Sequence, residues 1–222
     1  MENRYGQELR DQNKQILALT SGNTLLRFVM ALEFKKIYRK GDRVLEIGCG
    51  EGDSARPLLE QTPTRMDLLD ESASMIRVAK RELGQYTGRL RFITEDCLSY
   101  LNRSHPYDII VSTWTIHNFV WKDKVALFKA IYERLTPGGT FLLMDKIWPN
   151  SERERLFRFH IGRYRYLKPS VYHALARHEK MDFTTRYRMD EGRVLKTLKA
   201  VGFRSLRIAD RLERDIVLVA RK

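Results

Sequence analysis

Short apolar runs alternate with segments of helical periodicity along most of this chain. Five runs of strand length are bounded by turn residues and predict strands at 43–47, 65–69, 90–94, 107–112 and 140–144. Helical spacing of apolar residues predicts helices from Thr24 to Ile37 and from Asp123 to Leu135, and helices that begin at Asp53 and at Ser72. Strands that alternate with helices indicate an α/β fold with a mostly parallel sheet.

The pattern changes after the fifth predicted strand. Residues 151–180 interleave aromatic with basic side chains, and a helix at 191–201 and two strands at 205–209 and 215–220 follow. We therefore predict a Rossmann-like, seven-stranded, mostly parallel sheet with helices on both faces, in a single domain over residues 1–222. Residues 151–190 are interpreted as a helical insertion on the substrate side, and the polar residues 1–23 as an N-terminal arm or lid.

Composition is that of a globular protein. The 222 residues are 43% hydrophobic and 31% charged. No apolar run approaches the ~18 residues that span a bilayer, and Met1–Arg4 lack the apolar core of a signal peptide. Cys49 and Cys97 follow predicted strands, where a structural disulfide is not expected. These features favour a cytoplasmic protein.

The net charge of +13 is unevenly distributed. Residues 151–222 hold 19 Lys and Arg against 9 Asp and Glu. Such asymmetry is compatible with an acidic partner such as tRNA or another nucleic acid, a small anion or a membrane surface. It is equally compatible with a solvated basic face.

A glycine-rich turn follows the first predicted strand. The stretch from Glu46 to Gly52 reads E-I-G-C-G-E-G, with glycine at every second position from Gly48. Glycine allows unusual backbone dihedrals and close approach of a ligand. The spacing is neither that of the phosphate-binding P-loop nor G-x-G-x-x-G. The acidic residue that closes the strand favours a nucleotide-like ligand that carries an ammonium group.

This stretch resembles the first motif of the class I S-adenosylmethionine-dependent methyltransferases. The fourth predicted strand, the helix that leads into Leu135-Thr136-Pro137-Gly138-Gly139, and the strand after it are also typical of that family. The resemblance implies S-adenosylmethionine as cofactor and a methyl-transfer enzyme. It implies no metal, and no cluster in the sequence has metal-ligand spacing.

Acidic residues at two further strand ends complete the expected cofactor site. Asp70 lies 18 residues after Gly52, close to the offset at which a carboxylate meets ribose hydroxyls; the alternative is that it only begins a turn. The resemblance assigns Asp96 to the adenine amino group, with Cys97 beside it, and Glu46 to the methionine ammonium. The expected cofactor-binding residues are Glu46, Gly48, Cys49, Gly50, Gly52, Asp70, Asp96, Cys97 and Ser112.

The fourth strand and the insertion supply the candidate substrate residues. His117 follows that strand and could act as a general base or orient the substrate, or it could simply pack against Trp114 or Trp121. The insertion adds aromatic and basic residues that could stack on or hold a substrate, or pack on the core. The expected substrate-binding residues are Trp114, His117, Arg163, Tyr164 and Arg165.

A weaker resemblance is to the carboxy-S-adenosylmethionine synthases of tRNA wobble-uridine modification. It lies in Leu135-Thr136-Pro137-Gly138-Gly139, Lys146, the long insertion and the stretch Lys199–Phe203. In that family an arginine of the insertion holds the extra carboxylate, and Arg163 and Arg165 lie near the corresponding place. Methyl transfer to a small-molecule acceptor is the expected function. The alternatives are this synthase activity and a nucleic-acid-binding methyltransferase.

Overall fold

Seven strands form one sheet in the order β3-β2-β1-β4-β5-β7-β6 in the computed structural model, which describes residues 21–222. All neighbouring strands are parallel except β7, which is antiparallel to both β5 and β6. The strands are β1 (Arg43–Ile47), β2 (Arg65–Asp70), β3 (Leu90–Thr94), β4 (Tyr107–Thr113), β5 (Leu135–Lys146), β6 (Ser205–Leu212) and β7 (Asp215–Arg221). The predicted mostly parallel seven-stranded sheet is confirmed.

Eight α-helices flank or extend the sheet among the described residues. They are α1 (Ser21–Ile37), α2 (Ala55–Gln61), α3 (Ala73–Glu82), α4 (Cys97–Arg103), α5 (Trp121–Arg134), α6 (Arg153–Arg163), α7 (Pro169–Asp182) and α8 (Glu191–Val201). Short 3-10 turns occur at Gly84–Arg89, Ile116–Asn118 and Tyr164–Tyr166. No helix in residues 21–222 combines the length and the apolar character that a bilayer crossing requires.

Alternation along the buried strands gives the sheet two apolar faces. Leu45 and Ile47 of β1 belong to the core on one face, which residues of α4, α5 and α8 complete. Val44 lies in the core on the other face, which α1, α2 and α3 cover. Since side chains alternate along a strand, Glu46 points to the same face as Val44.

The chain order reverses beside β1, which pairs with β2 on one side and β4 on the other. In open α/β sheets, ligands bind outside the carboxyl ends of the strands at such a switch point. The carboxyl ends of β1 to β5, called the carboxyl rim below, therefore form the expected site.

Several predicted boundaries were wrong. The second helix begins at Ala55 rather than Asp53, because residues 51–54 complete the turn. Helix α5 begins at Trp121 rather than Asp123. Strand β5 begins at Leu135 rather than Thr140, since Leu135 pairs with Tyr107 ahead of a register shift. The stretch Leu135–Gly139 is thus the irregular start of a strand and not a loop.

The other differences lie at the two ends of the chain. Strand β6 extends to Leu212 because it stays paired with β7 across a second register shift, between Ile208 and Asp210. Helix α1 begins at Ser21 rather than Thr24. Residues 1–20, most of the predicted arm or lid, lie outside the described part of the chain.

Candidate active site

The glycine-rich turn is held tightly beneath the carboxyl rim. The backbone N–H groups of Gly48 and Cys49 donate to the Leu69 carbonyl at 2.8 and 3.0 Å. Gly48 and Gly50 have positive φ angles of 68° and 54°. A Cβ on Gly48 would collide with the Thr115 side chain, whereas a Cβ on Gly50 would meet nothing within 4 Å. Open space therefore lies beside Gly50, where a ligand can approach the backbone.

The Glu46 carboxylate is buried at the end of β1. The side chain is completely inaccessible, and neither oxygen has a hydrogen-bond partner among the described residues. Burial raises the pKa of Glu46 to about 8; nearby Arg27 opposes this rise, while Asp53 and Asp70 add to it. An unsatisfied buried carboxylate is costly, and a donor on a bound ligand would offset that cost.

Arg27 of α1 is a member of the site that sequence reasoning missed. Its guanidinium lies 4.9 Å from the centre of the Trp114 ring. Its Nε atom is 3.4 Å from Ser54 Oγ, and one terminal nitrogen is 3.9 Å from Asp53 Oδ2. The side chain is 20% exposed. A cation thus stands over the glycine-rich turn, beside the face of the sheet that carries Glu46.

Asp70 lies at the carboxyl rim and also fixes the conformation of the glycine-rich turn. Its Oδ2 accepts from the Gly50 N–H and its Oδ1 from the Ser72 N–H, both at 2.9 Å. Ser72 then caps α3 by accepting from the Met75 N–H. The two roles predicted for Asp70, binding ribose hydroxyls and beginning a turn, are compatible, since a carboxylate has about four acceptor positions. It begins the turn and retains acceptor capacity for hydroxyl groups.

Asp96 and Cys97 begin α4 at the end of β3. Asp96 is the N-cap, and its Oδ1 accepts from the Ser99 backbone N–H at 2.9 Å and from the Ser99 hydroxyl at 3.0 Å. Burial raises the pKa of the Cys97 thiol to about 12, so it remains protonated. Cys49 and Cys97 are buried and free. The absence of a disulfide between them agrees with the sequence prediction.

The backbone at the end of β4 is strained. Trp114 has a φ angle of 43°, in the left-handed region that bulky residues avoid. Its indole N–H donates to Asp215 Oδ1 at 2.9 Å, and its backbone N–H donates to the Met144 carbonyl at 2.8 Å. Strain of this kind clusters at functional sites. Ser112, just before it, has a buried hydroxyl with no hydrogen-bond partner in the described residues.

His117 and Asp145 form a buried pair across the ends of β4 and β5. His117 Nδ1 lies 2.6 Å from Asp145 Oδ1, and the His117 backbone N–H donates to Asp145 Oδ2 at 3.1 Å. Burial raises the pKa of Asp145, but the charge and hydrogen bonds of His117 outweigh it and hold the pKa below its ordinary value. The sequence prediction included His117 but gave Asp145 no role.

Helix α7 of the insertion adds charged groups next to this pair. Lys146 Nζ lies 2.9 Å from Asp182 Oδ2, and Asp182 Oδ2 lies 4.0 Å from His117 Nε2 and 3.3 Å from His178 Nε2. His117, His178 and Asp182 offer ligand atoms within 4.8 Å of one another, a grouping that a metal could use. Their sequence spacing does not predict it. In this structure, Lys146 supplies the positive charge at Asp182.

The three insertion residues expected to bind substrate have partners within the fold. One terminal nitrogen of Arg163 lies 3.2 and 3.3 Å from the two carboxylate oxygens of Glu213. The Tyr164 hydroxyl donates to Glu179 Oε1 at 3.0 Å, and Glu179 is also paired with buried Arg214. Arg165 is exposed and contacts Tyr166. Arg163 thus docks the insertion through Glu213, Tyr164 forms a contact within the insertion, and Arg165 faces solvent.

Much of the basic charge in residues 151–222 is also paired within the fold. The arginines that form ion pairs with acidic residues are Arg153, Arg155, Arg163, Arg188, Arg207, Arg211 and Arg214. Except for Glu33, these carboxylates are already among the nine acidic residues counted in this region, so the pairing leaves its excess of basic residues in place. What the pairing changes is the number of arginines that are available to an outside partner.

Known proteins that are similar to this chain share its fold, and the matched residues include the glycine-rich turn. Residues 44–139 match the family model described as a methyltransferase domain. Over these residues, the chain is similar to the class I S-adenosylmethionine-dependent methyltransferases. An O-methyltransferase family protein from Burkholderia thailandensis has a similar structure, with a TM-score of 0.70 and 14% identity over all of this chain and 62% of that one.

Two curated relatives are each similar to about half of the chain. Malonyl-[acyl-carrier protein] O-methyltransferase 1 of Ilyobacter polytropus is 39% identical over 103 residues, which are 46% of this chain and 37% of the relative. Phosphoethanolamine N-methyltransferase 1 of Zea mays is 33% identical over 123 residues, which are 55% of this chain and 23% of the relative. The chain thus matches only 37% and 23% of the lengths of these two relatives.

Proposed function

We propose that this protein binds S-adenosylmethionine at the carboxyl rim and transfers its methyl group to a small-molecule acceptor. Two observations carry the proposal: the buried Glu46 carboxylate has no hydrogen-bond partner in the described residues, and the turn that follows its strand leaves open space beside Gly50. A ligand with an ammonium group and a nucleoside satisfies both features. The curated relatives, whose names describe O- and N-methyltransferases, support the same reaction class.

The residues present fit such a cofactor. Glu46 is assigned to the methionine ammonium, and Arg27, 20% exposed above the turn, to the methionine carboxylate. Asp70 is assigned to the ribose hydroxyls and Asp96 to the adenine amino group. The backbone of the glycine-rich turn is assigned to close contact with the cofactor, through Gly48, Cys49, Gly50 and Gly52. The side chains assigned to the lining of the site are Cys97 and Ser112. When bound, the cofactor supplies an already electrophilic methyl group, and the protein mainly provides proximity and alignment.

We assign His117 to proton removal from the acceptor. Asp145 fixes its ring through Nδ1, which leaves Nε2 as the atom that can accept a proton. Trp114 lines the same end of β4, and its ring is fixed by Asp215. Helix α7 lies over this position and can exclude water from it. The acceptor would lie between His117 and the cofactor methyl group.

The alternatives receive less support. Of the two candidates for holding the extra carboxylate of a carboxylated cofactor, Arg163 is paired with Glu213, and Arg165 is exposed beside Tyr166. Many of the arginines that suggested a nucleic-acid partner are paired as well. The methyltransferase relatives favour methyl transfer over the synthase reaction. Two buried free cysteines fit a reducing compartment such as the cytoplasm.

Release of S-adenosylhomocysteine tests the proposal. The protein is incubated with S-adenosylmethionine and pools of small hydroxyl, amine and carboxylate acceptors, and also with malonyl-acyl-carrier protein and phosphoethanolamine. Acceptor-dependent release that His117→Gln abolishes, without loss of cofactor binding, is the expected result. Prephenate-dependent conversion of S-adenosylmethionine into a carboxylated cofactor, without release of S-adenosylhomocysteine, would instead identify the synthase activity.

A further inference from the structure

A cleft of about 830 Å³ lies at the edge of the sheet opposite the carboxyl rim. It is formed at the amino ends of β1, β2 and β3, and we call it the amino-end cleft. Its lining includes Lys40, Arg43, Arg65, Arg89, Arg91 and Arg103. Two carboxylates, Asp42 and Asp67, also line it. The lining is therefore strongly basic, and it is separate from the site assigned to methyl transfer.

Two of these arginines stand side by side. Arg43 and Arg65 are register partners on the parallel strands β1 and β2, so their backbones are about 4.8 Å apart. Both are exposed. No ion pair joins either guanidinium to a carboxylate within residues 21–222. Like charges on directly neighbouring strand positions are destabilising, and a bound anion between them would offset that repulsion.

The other arginines of the cleft are already engaged. Arg91 donates to both oxygens of Asp67, at 3.0 and 2.7 Å. Arg89 donates to backbone carbonyls at 2.8 and 2.9 Å. Arg103 is paired with Glu95. Among the described residues, the cations of the cleft whose side chains have neither a carboxylate nor a backbone carbonyl as partner are thus Lys40, Arg43 and Arg65.

Arg43 is also held in place. Its guanidinium stacks over the Tyr107 ring at 5.3 Å from the ring centre. The Tyr107 hydroxyl donates to Asp67 Oδ2 at 2.6 Å, which fixes the ring. A guanidinium positioned before binding loses little freedom when it captures an anion.

We propose that the amino-end cleft is a second ligand site, which binds a small molecule that carries phosphate groups. The phosphate lies between Arg43 and Arg65, where two planar guanidinium groups can each donate paired hydrogen bonds, and Lys40 adds a third positive charge. A cleft of this volume is in the range of small-ligand pockets. The concave shape favours a small ligand over a nucleic acid, which would follow an extended basic surface.

Inorganic pyrophosphate is the probe. Its binding to the full chain is measured by calorimetry for the parent protein and for the double variant Arg43→Ala/Arg65→Ala. The matched control is Arg158→Ala/Arg177→Ala, which removes two exposed arginines of the insertion that do not line the cleft. We expect one saturable site in the parent and control proteins and at least about tenfold weaker binding in the cleft variant.

Thermal unfolding provides a second readout. Arg65→Ala should unfold at the same or a higher temperature than the parent protein when phosphate is absent, because a repulsion is removed. Pyrophosphate should raise the unfolding temperature of the parent protein but not of Arg65→Ala. Equal loss of binding in the cleft and control variants would overturn the proposal. So would salt-sensitive tRNA binding that requires Arg43 and Arg65 while pyrophosphate shows no saturable binding.

Discussion

Asp145 holds His117 at two points, the ring Nδ1 at 2.6 Å and the backbone N–H at 3.1 Å. This one carboxylate therefore fixes both the orientation of the imidazole and the turn that carries it. Buried Lys124 supports the same turn by donating to the carbonyls of His117 at 3.0 Å and Tyr187 at 2.8 Å. The position of His117 is set by the ends of two strands and a helix.

Asp145→Asn should reduce turnover strongly while the cofactor still binds. The amide cannot orient and stabilise the charged imidazole as the carboxylate does, so proton removal should slow by about 10²–10⁴-fold. The rate of S-adenosylhomocysteine release and the cofactor Kd are measured on the same preparation. Asp123→Asn, in the first turn of α5, is the control. Unchanged turnover in Asp145→Asn would remove the pair from the proposed mechanism.

Glu46 should make the stability of the cofactor-free protein depend on pH. The folded-state pKa of about 8 exceeds the ordinary value of 4.5, so the folded state binds the proton more tightly. This contribution to stability is complete below about pH 4.5 and is lost as the pH rises through about 8. Glu46→Gln should lose less stability over that range than the parent protein.

Thermal unfolding from pH 5 to pH 9 measures the effect, and exposed Glu60→Gln serves as the control. Identical pH dependence in the parent protein and in Glu46→Gln would show that Glu46 does not titrate as described. Saturating S-adenosylmethionine should diminish the difference, because its ammonium group would pair with the ionised carboxylate.

Asp70→Ala should weaken S-adenosylmethionine binding by about 1.5–3 kcal/mol, the range for hydrogen bonds to a charged group. The variant loses both the ribose acceptor and the bond that holds the Gly50 N–H. Asp70→Asn retains one acceptor oxygen and should lose less. Calorimetry on folded Asp70→Ala with the affinity of the parent protein would exclude Asp70 from the site.

Asp96 has a structural role that can be separated from its proposed adenine contact. Asp96→Ala removes the cap of α4 and should cost about 0.5–2 kcal/mol of stability, whereas Asp96→Asn can keep the cap. Both variants should bind S-adenosylmethionine more weakly, with Asp96→Ala the weaker of the two. If only stability changes, and cofactor affinity remains that of the parent protein, the carboxylate serves the helix alone.

The sheet and the glycine-rich turn could be predicted because their signals are local. Apolar runs mark β1 to β5, and E-I-G-C-G-E-G marks the turn directly. Arg27 could not be found in this way, since it lies within α1, ahead of the first strand, and reaches the turn only when α1 packs on the sheet. The sequence places Asp145 directly after the fifth predicted strand. Its pairing with His117, however, depends on how β4 and β5 are aligned in the sheet.

The partners of the charged and polar residues of the insertion could not be predicted for a similar reason. Arg163 and Tyr164 are predicted to bind substrate because they lie among aromatic and basic neighbours. Their partners, Glu213 and Glu179, lie 50 and 15 residues further along the chain. Composition records the excess of arginine but not these pairings.

Calorimetric titration of the full chain with S-adenosylmethionine tests the central claim most directly. Glu46→Gln and Arg27→Ala are titrated beside the parent protein, with exposed Glu60→Gln as the control. We predict one molecule bound per chain in the parent and control proteins, and binding weakened by about 1.5–3 kcal/mol in each of the two site variants. A folded parent protein that binds no S-adenosylmethionine, or variants that bind it as tightly as the parent, would contradict the account.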